Sequence, residues 1–220
     1  LLPIVFFPNL LSQKQISESF TQKQPIITIL QQKDKKYSFN YDNNEIFIEE
    51  NDIVVDIGSN IGYSIQLAFE NKCKEIYCCE PIPFCVEIIK ENYGHNKNLY
   101  INQCAIDNFT GTSQLILPSK NSTSVSAKLI HDKTEIPHFI LNVDTITFED
   151  FISKNKISKI DFLKVDCEGN ERVIFNTKNI EYIKENVNKI VVEYHDNKKD
   201  YIINLLSNAD FEVHTSLTHN

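Results

Sequence analysis

Methionine is absent from all 220 residues, the first position included. A chain that opens on Leu1, Leu2 and Pro3 points to a domain cut from a longer protein, or to an N-terminal segment packed on the fold. Its apolar start has neither the basic flank nor the small-residue cleavage site of a signal segment. Positive charge is in short supply: 22 Lys and Arg face 30 Asp and Glu, a formal net charge of −8. With no basic footprint to meet phosphates, a nucleic-acid partner is excluded. No apolar run approaches the roughly 20 residues that span a bilayer. The cysteines (Cys73, Cys78, Cys79, Cys85, Cys104 and Cys167) lack the paired spacing of a zinc site or a disulfide framework. Most lie in or beside apolar strands, so they read as reduced core thiols, which fits a reducing, cytoplasmic compartment. No internal repeat is visible. The length suits one sizeable domain that buries roughly 70% of its unfolded surface.

What is present is organised around residues 53–63, Ile-Val-Val-Asp-Ile-Gly-Ser-Asn-Ile-Gly-Tyr. A short apolar run ends in Asp56, glycines follow at Gly58 and Gly62, and Ile61, Ile65, Ala68 and Phe69 then fall on one helical face. That is a buried strand, a tight turn and a helix. The turn aims backbone N–H groups and the positive end of the helix dipole at whatever binds there. Its glycines let a ligand approach the backbone without meeting a side chain. The next strand, 75–80, ends in Glu80, 24 residues after Asp56. An acid so placed accepts both hydroxyls of a ribose, so the stretch reads as a nucleoside-cofactor site.

Along the rest of the chain, 9–24 predicts a loose helix, and 25–30 with 36–41 predict a hairpin that precedes and covers the main sheet. A segment at 45–49 leads into the Asp56 strand. After Glu80, Pro81 and Pro83 open a helix that ends near Gly94. Residues 99–106 predict a third strand closing with Asp107, and 112–117 an accessory strand. Residues 118–136 read as a long polar loop, either a cover over a site or a plain surface loop. Further strands are predicted at 138–143, 160–166, 189–195 and 211–215, with helices at 148–155, 200–208 and within 171–186. This alternation predicts an α/β fold, a doubly wound and mostly parallel sheet with helices on both faces. The domain boundary falls at 44/45, an N-terminal extension before it and the main domain over 45–220.

Ligands of such sheets sit outside the carboxyl ends of the strands. Asp56, Glu80, Asp107, Asp166 with Glu168, and Glu193 with His195 end five successive core strands, on what should be one edge. Any one of these acids is explained as a cap or turn former; the whole set is not. The glycine turn itself lacks the third glycine of G-x-G-x-x-G, and no P-loop lysine follows it.

Four blocks together carry a resemblance. Val-Val-Asp-Ile-Gly-Ser-Asn-Ile-Gly-Tyr (54–63), Cys-Glu-Pro (79–81), Leu-Lys-Val-Asp-Cys-Glu-Gly-Asn-Glu (163–171) and Val-Glu-Tyr-His (192–195) resemble the FkbM family of S-adenosylmethionine-dependent methyltransferases. The segment at 143–151 is similar to the one that precedes the third block in that family, and the likeness covers about 45–195. It implies a class I methyltransferase (Rossmann-like) fold and methyl transfer to a hydroxyl of a sugar, glycan or natural-product acceptor. By the same resemblance the Asp56–Gly62 turn, Gly58 included, holds the methionine part of S-adenosylmethionine. Glu80 takes the ribose hydroxyls, Asp107 lies near the adenine, and Asp166 and Glu168 face the methyl or the acceptor. Asn60 either bonds the cofactor carboxylate or stabilises the turn. Two departures stand out. Asn51 replaces the usual glycine before the first strand, and only one strand is clear where two normally end the sheet.

Transfer to a hydroxyl needs in-line positioning and a base. His195 is the first candidate base, with a cap at the strand end as the competing explanation, and Asp166 is the second. Lys164, inside a buried strand, is expected to pair with an acid. Asp166, Glu168, Glu193 and His195 also have the chemistry to bind a hard divalent cation, but an Asp-x-Glu loop does not establish one, and no metal is assigned. Glu171 reads as a first-turn helix acid. Two other functions fit the same turn: a nicotinamide-dependent oxidoreductase, and a non-catalytic module that binds or assembles.

Overall fold

Apolar residues recur along the strands so that alternate side chains reach opposite faces, and the fold follows from where each set is buried. The computed structural model describes residues 26–32, 48–117, 128–129, 139–195 and 199–216, with side chains for 48–117, 139–195 and 200–213. In chain order the elements are β1 (Ile26–Gln32), β2 (Ile53–Ile57), α1 (Tyr63–Glu70), β3 (Glu75–Cys79), α2 (Pro83–Tyr93), β4 (Leu99–Asn102), β5 (Ala105–Ile106), β6 (Gly111–Leu117), β7 (Lys128–Leu129) and β8 (Phe139–Ile146). There follow α3 (Phe148–Asn155), β9 (Ile160–Val165), α4 (Glu171–Ile174), α5 (Ile180–Asn186), β10 (Val187–Tyr194), α6 (Lys199–Asn208) and β11 (Phe211–Ser216).

The main sheet runs β11-β1-β10-β9-β2-β3-β4. Its five strands from β10 to β4 are parallel. Val54, Ile76, Cys78, Phe162 and Val191 face one side, where Ile65 and Ala68 of α1 and Ile89 of α2 cover them. Val55, Ile57, Leu163, Val165, Ile190 and Val192 face the other, against Phe148 and Phe151 of α3, Ile180 and Ile183 of α5 and Ile202 and Leu206 of α6. Each such side chain, fully buried, contributes about 1.5–3 kcal/mol of transfer free energy. The predicted doubly wound sheet with helices on both faces is what forms. Asn51, in the place of a glycine, adopts the left-handed conformation at φ 70.

Three sequence expectations differ from the structure. The segment starting at 25 is not a cover over the sheet: β1 lies within it, antiparallel to both β10 and β11. It thereby fills the position where a strand looked to be missing near the sheet's end. Its predicted partner at 36–41, the helix over 9–24 and the lead-in at 45–47 lie outside the described residues. The single strand over 99–106 is two. The Cys104 N–H bonds back to Asn102 O (3.1 Å), so the chain turns out of the main sheet, and β5 pairs with β8 instead. An unbroken apolar run hides that break. The third difference is that the accessory strand belongs to a second sheet, β5-β8-β6-β7. That sheet packs through Leu115, Leu117 and Val143 on Ile82 and Cys85 of the first turn region of α2. Of the predicted loop over 118–136, only β7 is described, paired with β6.

Candidate active site

The carboxyl ends of β2, β3 and β9 meet where the winding reverses, since β3 and β4 succeed β2 on one side and β9 and β10 lie on the other. Crevices open at such switch points. Here the glycine turn after β2 hangs on β3: the N–H groups of Gly58 and Ser59 donate to Cys79 O at 2.9 and 3.3 Å. Gly58 (φ 78) and Gly62 (φ 94) are both left-handed, as is Asn60 at φ 49. The need for glycine differs from the sequence expectation. A β-carbon on Gly58 would lie 1.7 Å from Asp166 O, and one on Gly62 would lie 3.0 Å from the Tyr93 ring. It is the neighbouring protein, rather than space kept for a ligand, that excludes a side chain there.

Glu80, just past β3, is almost wholly buried. Its Oε2 accepts the Asn60 N–H at 2.8 Å and its Oε1 the Ile82 N–H at 2.9 Å. Each oxygen keeps a lone pair for a hydroxyl donor. Burial lifts this carboxyl to about 7, against the pull of the two N–H groups and of Lys164.

Parallel pairing of β2 with β9 sets Asp56 beside Lys164. The ammonium donates to Gly58 O at 2.7 Å and stands 3.4 Å from both Asp56 and Asp166. Burial presses Lys164 down, but Asp56 and Asp166 outweigh it and hold it above the ordinary lysine range. Asp56 is completely buried and, among the described residues, its side chain makes no other polar contact, so this lysine is what neutralises it. The pairing expected of Lys164 thus has two acids in it, and it also ties the glycine turn to the end of β9.

Beyond β9 the chain gathers four acids around one imidazole. His195 Nδ1 donates to Glu171 Oε1 at 3.1 Å. Its Nε2 lies 3.4 Å from Glu168, 3.7 Å from Glu193 and 3.8 Å from Asp166. Burial lowers the imidazole, yet the bond to Glu171 and the charges of Glu193 and Glu168 raise it to about 10. Burial likewise lifts Glu168 to about 8 against the pull of His195, and raises Asp166 above the usual carboxylate range in spite of Lys164. Glu171 is no ordinary first-turn acid: it is fully buried, and its Oε1 also takes the Gly169 N–H at 2.9 Å.

A cleft of about 660 Å³, its open mouth included, lies along this edge. Gly58, Asn60, Glu80, Asp166 and Glu168 line it, together with an apolar wall that includes Ile82, Ala105, Ile106 and Leu115. Asp56 and Asp107 are set back from it, both completely buried. Asp107 follows β5 of the second sheet rather than a main-sheet strand, and its Oδ1 takes the Asn108 N–H at 2.7 Å. Gly62 caps α1 at the turn's far end. His195 stands behind Asp166 and Glu168. An accepting carboxylate beside an apolar wall fits a nucleoside, whose diol would donate to Glu80 while its base lay against the aliphatic side chains.

The family model described as "Methyltransferase FkbM domain" matches residues 56–213. The chain belongs to the FkbM methyltransferase family. Neither a search of curated proteins nor one of solved structures gave a match. Membership makes the chain a methyltransferase, and the matched span holds every residue of the cleft edge. Among the described residues no helix is long and apolar enough to cross a membrane. All six cysteines are free thiols, five of them buried, as their surroundings in the sequence led us to expect.

Sequence reasoning did not find the apolar wall that the second sheet lends to the cleft of this FkbM-family fold. Nor did it find the role of Asn170, whose Nδ2 donates to Ile106 O at 2.8 Å and fastens the acidic loop to β5. The signal for Asn170 was the density of polar residues in 166–171.

Proposed function

We propose that this FkbM-family chain transfers a methyl group from S-adenosylmethionine to a hydroxyl oxygen of a sugar, glycan or natural-product acceptor. The observation that carries the reading is Glu80. It is a buried carboxylate steadied by an N–H on each oxygen, set between the glycine turn and an apolar wall. The ribose hydroxyls bind Glu80, the adenine lies along Ile82 and Leu115, and the methionine part follows the turn from Gly58 past Asn60 to Gly62. Asp56 and Asp107 serve from the interior, Asp56 by neutralising Lys164 beneath the turn and Asp107 as part of the support behind the adenine side. The cofactor, when bound, supplies an electrophilic methyl on sulfur.

The acceptor side of the cleft falls to Asp166 and Glu168. An attacking hydroxyl must shed its proton, and a carboxylate made more basic by burial is suited to take it. With its pKa raised to about 10 by the surrounding acids, His195 faces Asp166 and Glu168 as a positive charge, and a ligand at Nε2 would have to displace that proton. Buried free thiols fit a cytoplasmic setting.

A thermal shift with S-adenosylhomocysteine, run beside NAD, tests the reading. Ligand at about 100 times its Kd adds roughly 2.7 kcal/mol, a rise of roughly 5–10 °C for a domain of this size. A rise with S-adenosylhomocysteine alone supports the proposal. A rise with NAD alone overturns it in favour of an oxidoreductase, and silence from both favours a non-catalytic module.

A further inference from the structure

Three donor atoms of different residues converge on the acceptor side of the cleft. One carboxylate oxygen each of Asp166 and Glu168 and a ring nitrogen of His195 all lie within 4.8 Å of one another. The Nε2 separations, 3.4 Å to Glu168 and 3.8 Å to Asp166, are long for strong hydrogen bonds. They are, however, the separations expected around one ion. A cation with bonds of roughly 2.1 Å sets its ligand atoms roughly 3–4.2 Å apart.

A second observation comes from outside the triad. Glu171, completely buried, accepts from Nδ1 of His195, while among the described residues its own Oε2 has no hydrogen-bond partner. A carboxylate behind a histidine fixes the ring and leaves Nε2 as the nitrogen presented to the three acids in front. This is the arrangement that orients metal-ligating histidines, and the supporting carboxylate raises the basicity of the ligand. Backing the acids themselves is a rigid frame, with Asp166 held by Lys164 and its own N–H on Ile57 O at 3.0 Å. The cluster also opens toward a guest, since Asp166 and Glu168 line the cleft.

We infer that Asp166, Glu168 and His195 form a binding site for a divalent cation of the Mg²⁺ or Mn²⁺ class, with Glu171 as the residue that orients His195. Two carboxylates and one imidazole suit such an ion, and the cleft leaves its remaining positions to water or to an acceptor hydroxyl. A divalent ion among four acids supplies charge that one imidazolium cannot. Binding of the ion stands on this geometry alone; its contact with an acceptor hydroxyl rests on the methyl-transfer reading.

The test uses the whole chain without cofactor, titrated with Mn²⁺ and followed by electron paramagnetic resonance. A single Mn²⁺ site is expected, with nitrogen modulation of the spin echo that reports imidazole coordination. Glu168→Gln and His195→Gln should each abolish binding in the range where the native chain saturates, and His195→Gln should remove the nitrogen signal. Glu171→Gln should weaken Mn²⁺ by roughly 10–100-fold. Melting curves in chelator show which variants fold; Glu168→Gln, altered on the cleft wall, decides if the others do not. Binding that is equal in native chain and Glu168→Gln, bound Mn²⁺ without nitrogen coupling, or no saturation at millimolar Mn²⁺ each overturns the site. The thermal shift with S-adenosylhomocysteine, done on the same preparation in chelator, reports separately on the cofactor reading.

Discussion

Gly58 and Asp166 meet backbone to backbone, so closely that a β-carbon on the glycine would stand 1.7 Å from the aspartate's carbonyl oxygen. The glycine turn after β2 and the acidic loop after β9 are thus packed as one unit. Gly58→Ala adds that clash to a left-handed backbone and should lower stability by about 3 kcal/mol or more. Gly169→Ala, at φ 110 but with nothing within 4 Å, should cost only about 1 kcal/mol. Urea unfolding of the two variants checks the contrast, and equal midpoints would refute the contact.

Lys164→Met removes the cation that Asp56 depends on. Losing one partner of a buried pair costs about 3–5 kcal/mol, because the other charge stays behind. Asp56→Asn placed in the Lys164→Met background should recover part of that loss. A double-mutant cycle by urea unfolding measures the coupling; additive losses would show that the 3.4 Å approach contributes nothing.

On the proposed reading, ribose hydroxyls would donate to ionised Glu80, so protons would compete with the cofactor. With the carboxyl lifted to about 7, affinity for S-adenosylhomocysteine should be full above that pH and fall about tenfold per unit below it. Calorimetric titration from pH 5 to 9 reads the curve (a range of about four units). Glu80→Gln should bind weakly with a flat profile, whereas a native profile without an inflection near neutrality would sink the assignment.

Glu80→Ala and His195→Ala should fail differently. The first should raise the Kd for S-adenosylhomocysteine, while the second should slow turnover and leave that Kd nearly unchanged. Turnover is followed by release of S-adenosylhomocysteine with an acceptor once one is in hand. Equal loss of affinity in both variants would make His195 a cofactor contact or a purely structural residue.

Much of this was legible in the sequence because strand ends announce themselves. Apolar runs closing in Asp56, Glu80 and Asp166 put three acids at the ends of neighbouring strands, and the left-handed Asn51 is readable from residue type. What could not be read were relations between distant segments. Glu171 looks like a helix acid in sequence, and its burial against His195 follows from how β10 ends beside α4. Asp107 looked like the end of a main-sheet strand because the apolar run through 99–106 gives no sign of the turn at Asn102. The reason for Gly58 is likewise a neighbour more than 100 positions away along the chain.

The placement of β1 has a consequence for the order in which the fold is made. Ile29 pairs with Val191 on one side and with His214 on the other. A ribosome releases β1 long before either neighbour exists, so this strand waits unpaired through most of synthesis. Among the described strands β11 pairs only with β1, and it joins the sheet through the earliest-made of them. Such distant pairing is slow to form, and the nascent chain carries an open strand edge until β10 arrives to close it.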